Sequence, residues 1–259
     1  MKLKIKEIIK KKNKKPLVCL TAYSRNYSVI LDKYCDIILV GDSLANVLYN
    51  MKNTRQITLD IMISHATAVM SGIKKTCCVV DMPFNTYRNK KEALVNAKRI
   101  INKTKCDAIK IESNGKNYDI FKHLVKSKIP VMGHIGYTPQ FKNKFKIAGK
   151  NINQEKKLLK EAMKIEKAGA FSIVLECITE RTAKKITQML KIPTIGIGSS
   201  KFCDGQILVT DDLLGLSGFY PKFIKKYVNL NKIIEKAIQK YKQEVNKKLF
   251  PKKINSYLT

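Results

Sequence analysis

Short apolar runs in this chain repeatedly end in an ionisable side chain. Asp42 closes Ile38-Leu39-Val40-Gly41-Asp42 and Asp81 closes Cys78-Val79-Val80-Asp81. Glu112 closes Ile109-Lys110-Ile111-Glu112, His134 closes Pro130-Val131-Met132-Gly133-His134, and Glu176 closes Ile173-Val174-Leu175-Glu176. If these runs are parallel strands of a barrel, their ends share one rim, the C-terminal face where such folds place their chemistry. Carboxylates far apart in sequence then converge, and in partly desolvated space they raise one another's pKa unless a cation joins them. Oxygen donors without a cysteine partner select a hard ion; Mg²⁺ takes one or two carboxylates, keeps water and leaves positions open for substrate oxygens. Asp42, Asp81 and Glu112 are the expected metal end of the site, directly or through water. Lys110 stands two residues before Glu112, so both side chains point to one face of a strand, the barrel interior. An ammonium there suits an anionic substrate.

A single acid at a strand end is more often a turn former or a helix cap; its repetition along one chain is what favours a shared site. Ser43 has two readings, cap of the next helix or substrate contact. His134 also has two, a satisfied core imidazole or a substrate contact before the turn Ile135-Gly136-Tyr137-Thr138-Pro139. The segments Ile195-Gly196-Ile197-Gly198-Ser199-Ser200 and Lys201-Phe202-Cys203-Asp204-Gly205-Gln206 lack dinucleotide or P-loop spacing. They read as close backbone approach on the rim.

The elements that must position these residues alternate along the chain. Strands are expected at Leu17–Leu20, Ile37–Val40, Cys77–Val80, Ala108–Ile111, Ile129–Met132, Phe171–Leu175 and Thr194–Ile197, with Gln206–Val209 the best eighth. Between them Asp60–Met70, Lys91–Asn102, Tyr118–Lys126, Glu155–Lys167 and Thr179–Leu190 space apolar residues three and four apart, as helices covering one face do. Continuous apolar strands separated by helices imply a parallel sheet buried on both faces, and this many units favour a closed (β/α)₈ TIM barrel. One domain over residues 1–259 is expected, with a Lys-rich N-terminal segment (1–15) and a basic C-terminal helix and tail (229–259).

At 259 residues, with 44% hydrophobic and 27% charged, the chain can bury a sizeable core, which excludes wholesale disorder. The formal net charge of +31 attracts nucleic acid and anionic membranes non-specifically. Arg, favoured where phosphate or base edges are read bidentately, occurs only at Arg25, Arg55, Arg88, Arg99 and Arg181, and the Lys are scattered. A solvated Lys surface is the expected reading; a nucleic-acid-binding protein is the alternative. The 7 Cys lie mostly in apolar runs without zinc-ligand spacing and read as reduced core residues. No run approaches a membrane span, and the first fifteen residues lack a signal-peptide core, so a cytoplasmic protein is expected.

In order along the chain stand Leu20-Thr21-Ala22-Tyr23, Val40-Gly41-Asp42-Ser43-Leu44, Asp81-Met82-Pro83-Phe84 and Lys110-Ile111-Glu112. Gly133-His134-Ile135-Gly136-Tyr137-Thr138-Pro139-Gln140, Leu175-Glu176-Cys177, Ile195-Gly196-Ile197-Gly198 and Asp204-Gly205-Gln206-Ile207-Leu208-Val209 follow. By these segments, from about Leu20 to about Ile224, the chain resembles the ketopantoate hydroxymethyltransferase family. The resemblance implies a (β/α)₈ barrel that transfers a one-carbon unit from 5,10-methylenetetrahydrofolate to 3-methyl-2-oxobutanoate, giving 2-dehydropantoate. It implies Mg²⁺, one per subunit, on Asp42, Asp81 and Glu112, and keto-acid contacts at Asp42, Ser43, Asp81 and Lys110. It also implies a proton acceptor at Glu176 and a homo-oligomer, a pair of pentamers. Departures at Ser24, Ser113-Asn114, Phe141 to Gln154 and Gly198-Ser199-Ser200 bear on the folate side rather than on enolate chemistry. A Mg²⁺ barrel lyase would share the acidic rim, but the reactive loop cysteine such lyases offer has no convincing equivalent here.

Overall fold

The structure, a computed structural model, describes residues 3–142, 144–218 and 220–257. It opens with α1 (Leu3–Lys10), β1 (Leu17–Thr21), α2 (Arg25–Leu31), β2 (Ile37–Val40), α3 (Leu44–Val47), α4 (Leu59–Met70) and β3 (Cys77–Asp81). Next come α5 (Lys90–Thr104), β4 (Ala108–Glu112), α6 (Tyr118–Lys126), β5 (Val131–Gly136), α7 (Ile152–Lys167) and β6 (Ser172–Glu176). The order ends with α8 (Glu180–Met189), β7 (Thr194–Ile197), β8 (Gly205–Leu208), α9 (Thr210–Leu214) and α10 (Leu230–Asn246). Each strand pairs in parallel with the next, and β8 pairs with β1 to close an eight-stranded barrel. The (β/α)₈ barrel read from the sequence is the fold observed. Contacts divide the chain into two compact units, Met1–Val209, which holds the barrel, and Thr210–Thr259, which holds α9 and α10.

Side-chain alternation along each strand builds two apolar layers. Leu17 and Cys19, Ile37 and Leu39, Cys77 and Val79, Ala108, Met132, Val174, Ile195 and Ile207 form one buried cluster inside the barrel. Their strand neighbours Ile38, Val40, Cys78, Val80, Ile109 and Ile111 join a larger cluster with Met62, Ala66 and Val69 of α4 and Ala93, Ala97 and Ile100 of α5. Each fully buried Ile or Leu contributes roughly 2 kcal/mol. The helices start where side chains accept orphan amides: Thr58 from Ile61, Asn89 from Glu92 and Asn151 from Gln154.

Several elements differ from the sequence expectation. The Lys-rich first segment contains α1, whose Ile5 and Ile8, three apart, are buried in the interior cluster. Lys4 donates to the Thr76 carbonyl at 2.9 Å and pairs with Asp107 at 3.2 Å, just before β3 and β4, so α1 lies against the N-terminal ends of the strands. Strand β5 was expected at Ile129–Met132 but runs from Val131 to Gly136, because pairing with β6 continues to Gly136 opposite Glu176. His134 thus sits inside a strand rather than at its end.

Candidate active site

On the inward face of the barrel, apolar side chains give way to charged ones. Along β3 Cys77 and Val79 are followed by Asp81; along β4 Ala108 is followed by Lys110 and Glu112; Met132 precedes His134 on β5, and Val174 precedes Glu176 on β6. Register sets Asp81 beside Lys110, Glu112 beside His134, and Gly136 beside Glu176. Gly136 has φ +98, and a Cβ there would lie 2.1 Å from the Glu176 carbonyl oxygen, so only glycine allows this approach. Asp42 arrives from the turn after β2, where its backbone N–H donates to Asp81 Oδ2 at 3.0 Å.

Asp42, Asp81, Lys110, Glu112 and His134 are all at most 5% exposed. Lys110 Nζ lies 2.9 Å from Asp81 Oδ1 and 3.4 Å from His134 Nδ1. His134 bridges two acids, with Nδ1 3.4 Å from Glu112 Oε1 and Nε2 3.1 Å from Glu176 Oε2. Gln140, in the loop after β5, closes the group from above. Its side-chain nitrogen donates to Asp42 Oδ2 at 2.7 Å and to the Met82 carbonyl at 3.1 Å, and its backbone N–H donates to Glu112 Oε2 at 3.0 Å. The Tyr87 hydroxyl donates to Gln140 Oε1. Ser43 is half-buried, its hydroxyl 2.8 Å from that of Tyr23.

The electrostatics of this rim are those of an anionic cluster short of positive charge. Burial, then the charges of Asp81 and Glu112, raise the Asp42 carboxyl to about 8, against the pull of Lys110 and Gln140. Burial alone would lower the Lys110 pKa, but Asp81, Asp42 and Glu112 outweigh it and hold the ammonium above the ordinary lysine range. Burial and Lys110 likewise disfavour charge on His134, and the carboxylates of Glu112 and Glu176 beside its two nitrogens reverse the sign, raising it to about 9. Burial, then Glu112, keeps the Tyr87 phenol protonated well beyond its usual range.

Hydrogen bonds tie one oxygen of each of three carboxylates: Asp42 Oδ2, Asp81 Oδ2 and Glu112 Oε2. Asp81 Oδ1 and Glu112 Oε1 are buried with no hydrogen-bond partner. Lys110 and His134 are near enough to attract them but out of line to donate. Among the described residues no three His, Cys, Asp or Glu side chains form a ready-made metal cage. A Mg²⁺ ion completed by water and substrate oxygens needs none. Hard oxygen donors, two buried oxygens without a hydrogen bond and a raised Asp42 carboxyl fit such an ion, and Asp42, Asp81 and Glu112 are the residues that would hold it, directly or through water.

The structure brings every residue of the sequence reading, Asp42, Ser43, Asp81, Lys110, Glu112, His134 and Glu176, to this one rim. His134, read either as a satisfied core imidazole or as a substrate contact, has both nitrogens against carboxylates. Sequence reasoning gave no role to Tyr23, Tyr87 or Gln140. Gln140 stands in the segment Gly133 to Gln140, but nothing in its neighbours signals that its amide reaches back to Asp42.

A parallel barrel with a buried acidic group at the C-terminal ends of its strands defines the class: a (β/α)₈-barrel enzyme. Solved structures share that fold at low identity. They include phosphoenolpyruvate phosphomutase from Streptomyces platensis subsp. rosaceus (TM-score 0.63, 10% identity, 94% of this chain and 87% of that one). Phosphonopyruvate hydrolase in complex with oxalate and Mg²⁺ is another (TM-score 0.60, 9% identity, 80% of each chain). At the level of sequence, the family model for ketopantoate hydroxymethyltransferase matches residues 2–253. A 3-methyl-2-oxobutanoate hydroxymethyltransferase of Pelagibacter ubique (strain HTCC1062) is 54% identical over 257 residues, 99% of this chain and 100% of that protein. The protein of the same name from Rhizobium etli is 45% identical over 93% of this chain and 90% of its own length. The chain belongs to the ketopantoate hydroxymethyltransferase family.

Proposed function

We propose that this chain transfers a hydroxymethyl group from 5,10-methylenetetrahydrofolate to 3-methyl-2-oxobutanoate, giving 2-dehydropantoate in the route to pantothenate. The observation that carries the reading is the convergence of Asp42, Asp81 and Glu112 around Lys110, with Glu176 beside them across His134, in a chain of this family. Bound Mg²⁺ supplies Lewis acidity toward the keto acid's oxygens and so acidifies its C3 proton. Asp42 and Asp81 hold that end of the site, and Ser43 and Lys110 orient the substrate carboxylate. Glu176, one-fifth exposed at its side chain and so open to substrate, takes the C3 proton. The His134 ring, its Nε2 3.1 Å from Glu176 Oε2, attracts that carboxylate by charge. Water breaks both C–N bonds of the folate's methylene carbon, releasing it as formaldehyde and leaving tetrahydrofolate; the carbanion adds to that carbon, and the alkoxide so formed takes a proton to become the hydroxyl.

Incubating the protein with 3-methyl-2-oxobutanoate, the folate donor and Mg²⁺ should yield 2-dehydropantoate. Its absence, with the substrates intact, would overturn the reading while leaving the fold untouched.

The same reading makes the protein a cytoplasmic homo-oligomer, a pair of pentamers. Support for assembly comes from α10, which buries none of its residues and exposes Ile234, Ile238, Tyr241 and Val245 along one stripe. Light scattering on the purified chain would test it. Among the described residues no helix is long and apolar enough to cross a membrane.

A further inference from the structure

We infer that Gln140 is a positioning residue that aims Asp42 and Glu112 into the site, with Tyr87 setting the sense of its amide. The inference rests on the reading of those carboxylates as the metal end.

A carboxamide has a donating end and an accepting end, and turning it over exchanges them. Here every polar atom of the side chain is committed. Both Nε2 protons are used, by Asp42 Oδ2 at 2.7 Å and the Met82 carbonyl at 3.1 Å. The oxygen accepts from Tyr87, which as a phenol donates to it. Turned over, Oε1 would face the Asp42 carboxylate and the nitrogen would face a hydroxyl already disposed to donate. Tyr87 therefore fixes which end meets Asp42. Gln140 and Tyr87 are 1% and 4% exposed, so water does not substitute for either partner.

Gln140 also acts through its backbone. Its N–H holds Glu112 Oε2 at 3.0 Å, leaving Glu112 Oε1 the oxygen without a hydrogen-bond partner. One residue in the loop after β5 thus sets the rotation of acids from two other segments, β4 and the turn after β2. Outer-shell hydrogen bonds of this kind typically change metal affinity by about ten- to a hundredfold when removed.

The test uses the full chain with Mn²⁺ as probe, titrated by electron paramagnetic resonance in the presence of 3-methyl-2-oxobutanoate, alongside thermal melts. Gln140→Met keeps the length and apolar bulk of the side chain and removes the amide; it should weaken Mn²⁺ binding about tenfold or more. Tyr87→Phe, which keeps the ring, should weaken it by a smaller factor, and it carries the test if Gln140→Met does not fold. In an Asp42→Asn background, adding either substitution should cost nothing further, because the effect runs through Asp42. A lowered melting temperature with unchanged Mn²⁺ affinity, or losses that simply add to that of Asp42→Asn, would overturn the inference alone. A wild-type chain that takes up no Mn²⁺ would overturn the metal reading and this inference with it.

Discussion

Glu176 and the three acids proposed to hold Mg²⁺ share one rim but sit in different surroundings. Asp42, Asp81 and Glu112 are buried, whereas the Glu176 side chain is 19% exposed and contacts the imidazole of His134. Replacing Glu176 with Gln keeps the size and removes the proposed base. It should abolish exchange of the C3 proton of 3-methyl-2-oxobutanoate into heavy water, a loss of at least about a hundredfold, while keto-acid binding persists in a calorimetric titration. Unchanged exchange would remove Glu176 from the role. These acids were legible because a strand of period two delivers its last inward residue to a predictable place. Gln140 was not, because its effect depends on the path of a loop and on atoms contributed by the turn after β2, by β4 and by Tyr87.

At the scale of elements, junctions decide whether the rim forms. Replacing Gly136 with Ala would force a Cβ to within 2.1 Å of the Glu176 carbonyl oxygen at a φ of +98. The expected result is a chain destabilised by about 1–3 kcal/mol or more in urea titration, with proton exchange impaired because β5 and β6 separate. A second junction lies after α2, where Asp32 accepts backbone N–H bonds from Lys74, Lys75 and Thr76 at 3.1, 3.1 and 2.8 Å. Burial would raise the Asp32 pKa, but the bonds from Thr76, Lys75 and Lys74 outweigh it and lower it. A depressed carboxylate contributes stability in full above its unfolded value of about 3.9 and loses it as pH falls through the lower folded value. Asp32→Asn should therefore cost about 2 kcal/mol near neutrality, and the gap between the two melting curves should close in acid. A gap that persists below the carboxylate range would refute the assignment. Most strands and the longer helices were readable from periodicity. α1 was obscured by the Lys around Ile5 and Ile8, and the end of β5 by Gly133 and Gly136, which weaken any strand signal.

For the whole molecule, the net charge of +31 is carried by Lys spread over the sequence rather than by Arg. The acidic rim beneath it is buried, so excess charge and chemistry occupy different places. Weak heparin retention that vanishes steeply with salt is the expected behaviour. Tight, sequence-selective binding to a duplex would instead make nucleic acid a genuine partner.

All seven cysteines are buried thiols outside any disulfide, at Cys19, Cys35, Cys77, Cys78, Cys106, Cys177 and Cys203. Burial raises the thiol pKa at several, to about 11 at Cys35 and about 12 at Cys177. Thiolates are the reactive form, so the native chain withholds its sulfur from alkylating reagents until a segment opens. The thiols, on or beside β1, β2, β3, β4, β6 and β8, form a set of internal clocks around the barrel. Timed iodoacetamide labelling read by mass spectrometry should find none modified over a period that fully labels the unfolded chain, and under mild denaturant the order of labelling should reveal which stave of the barrel loosens first.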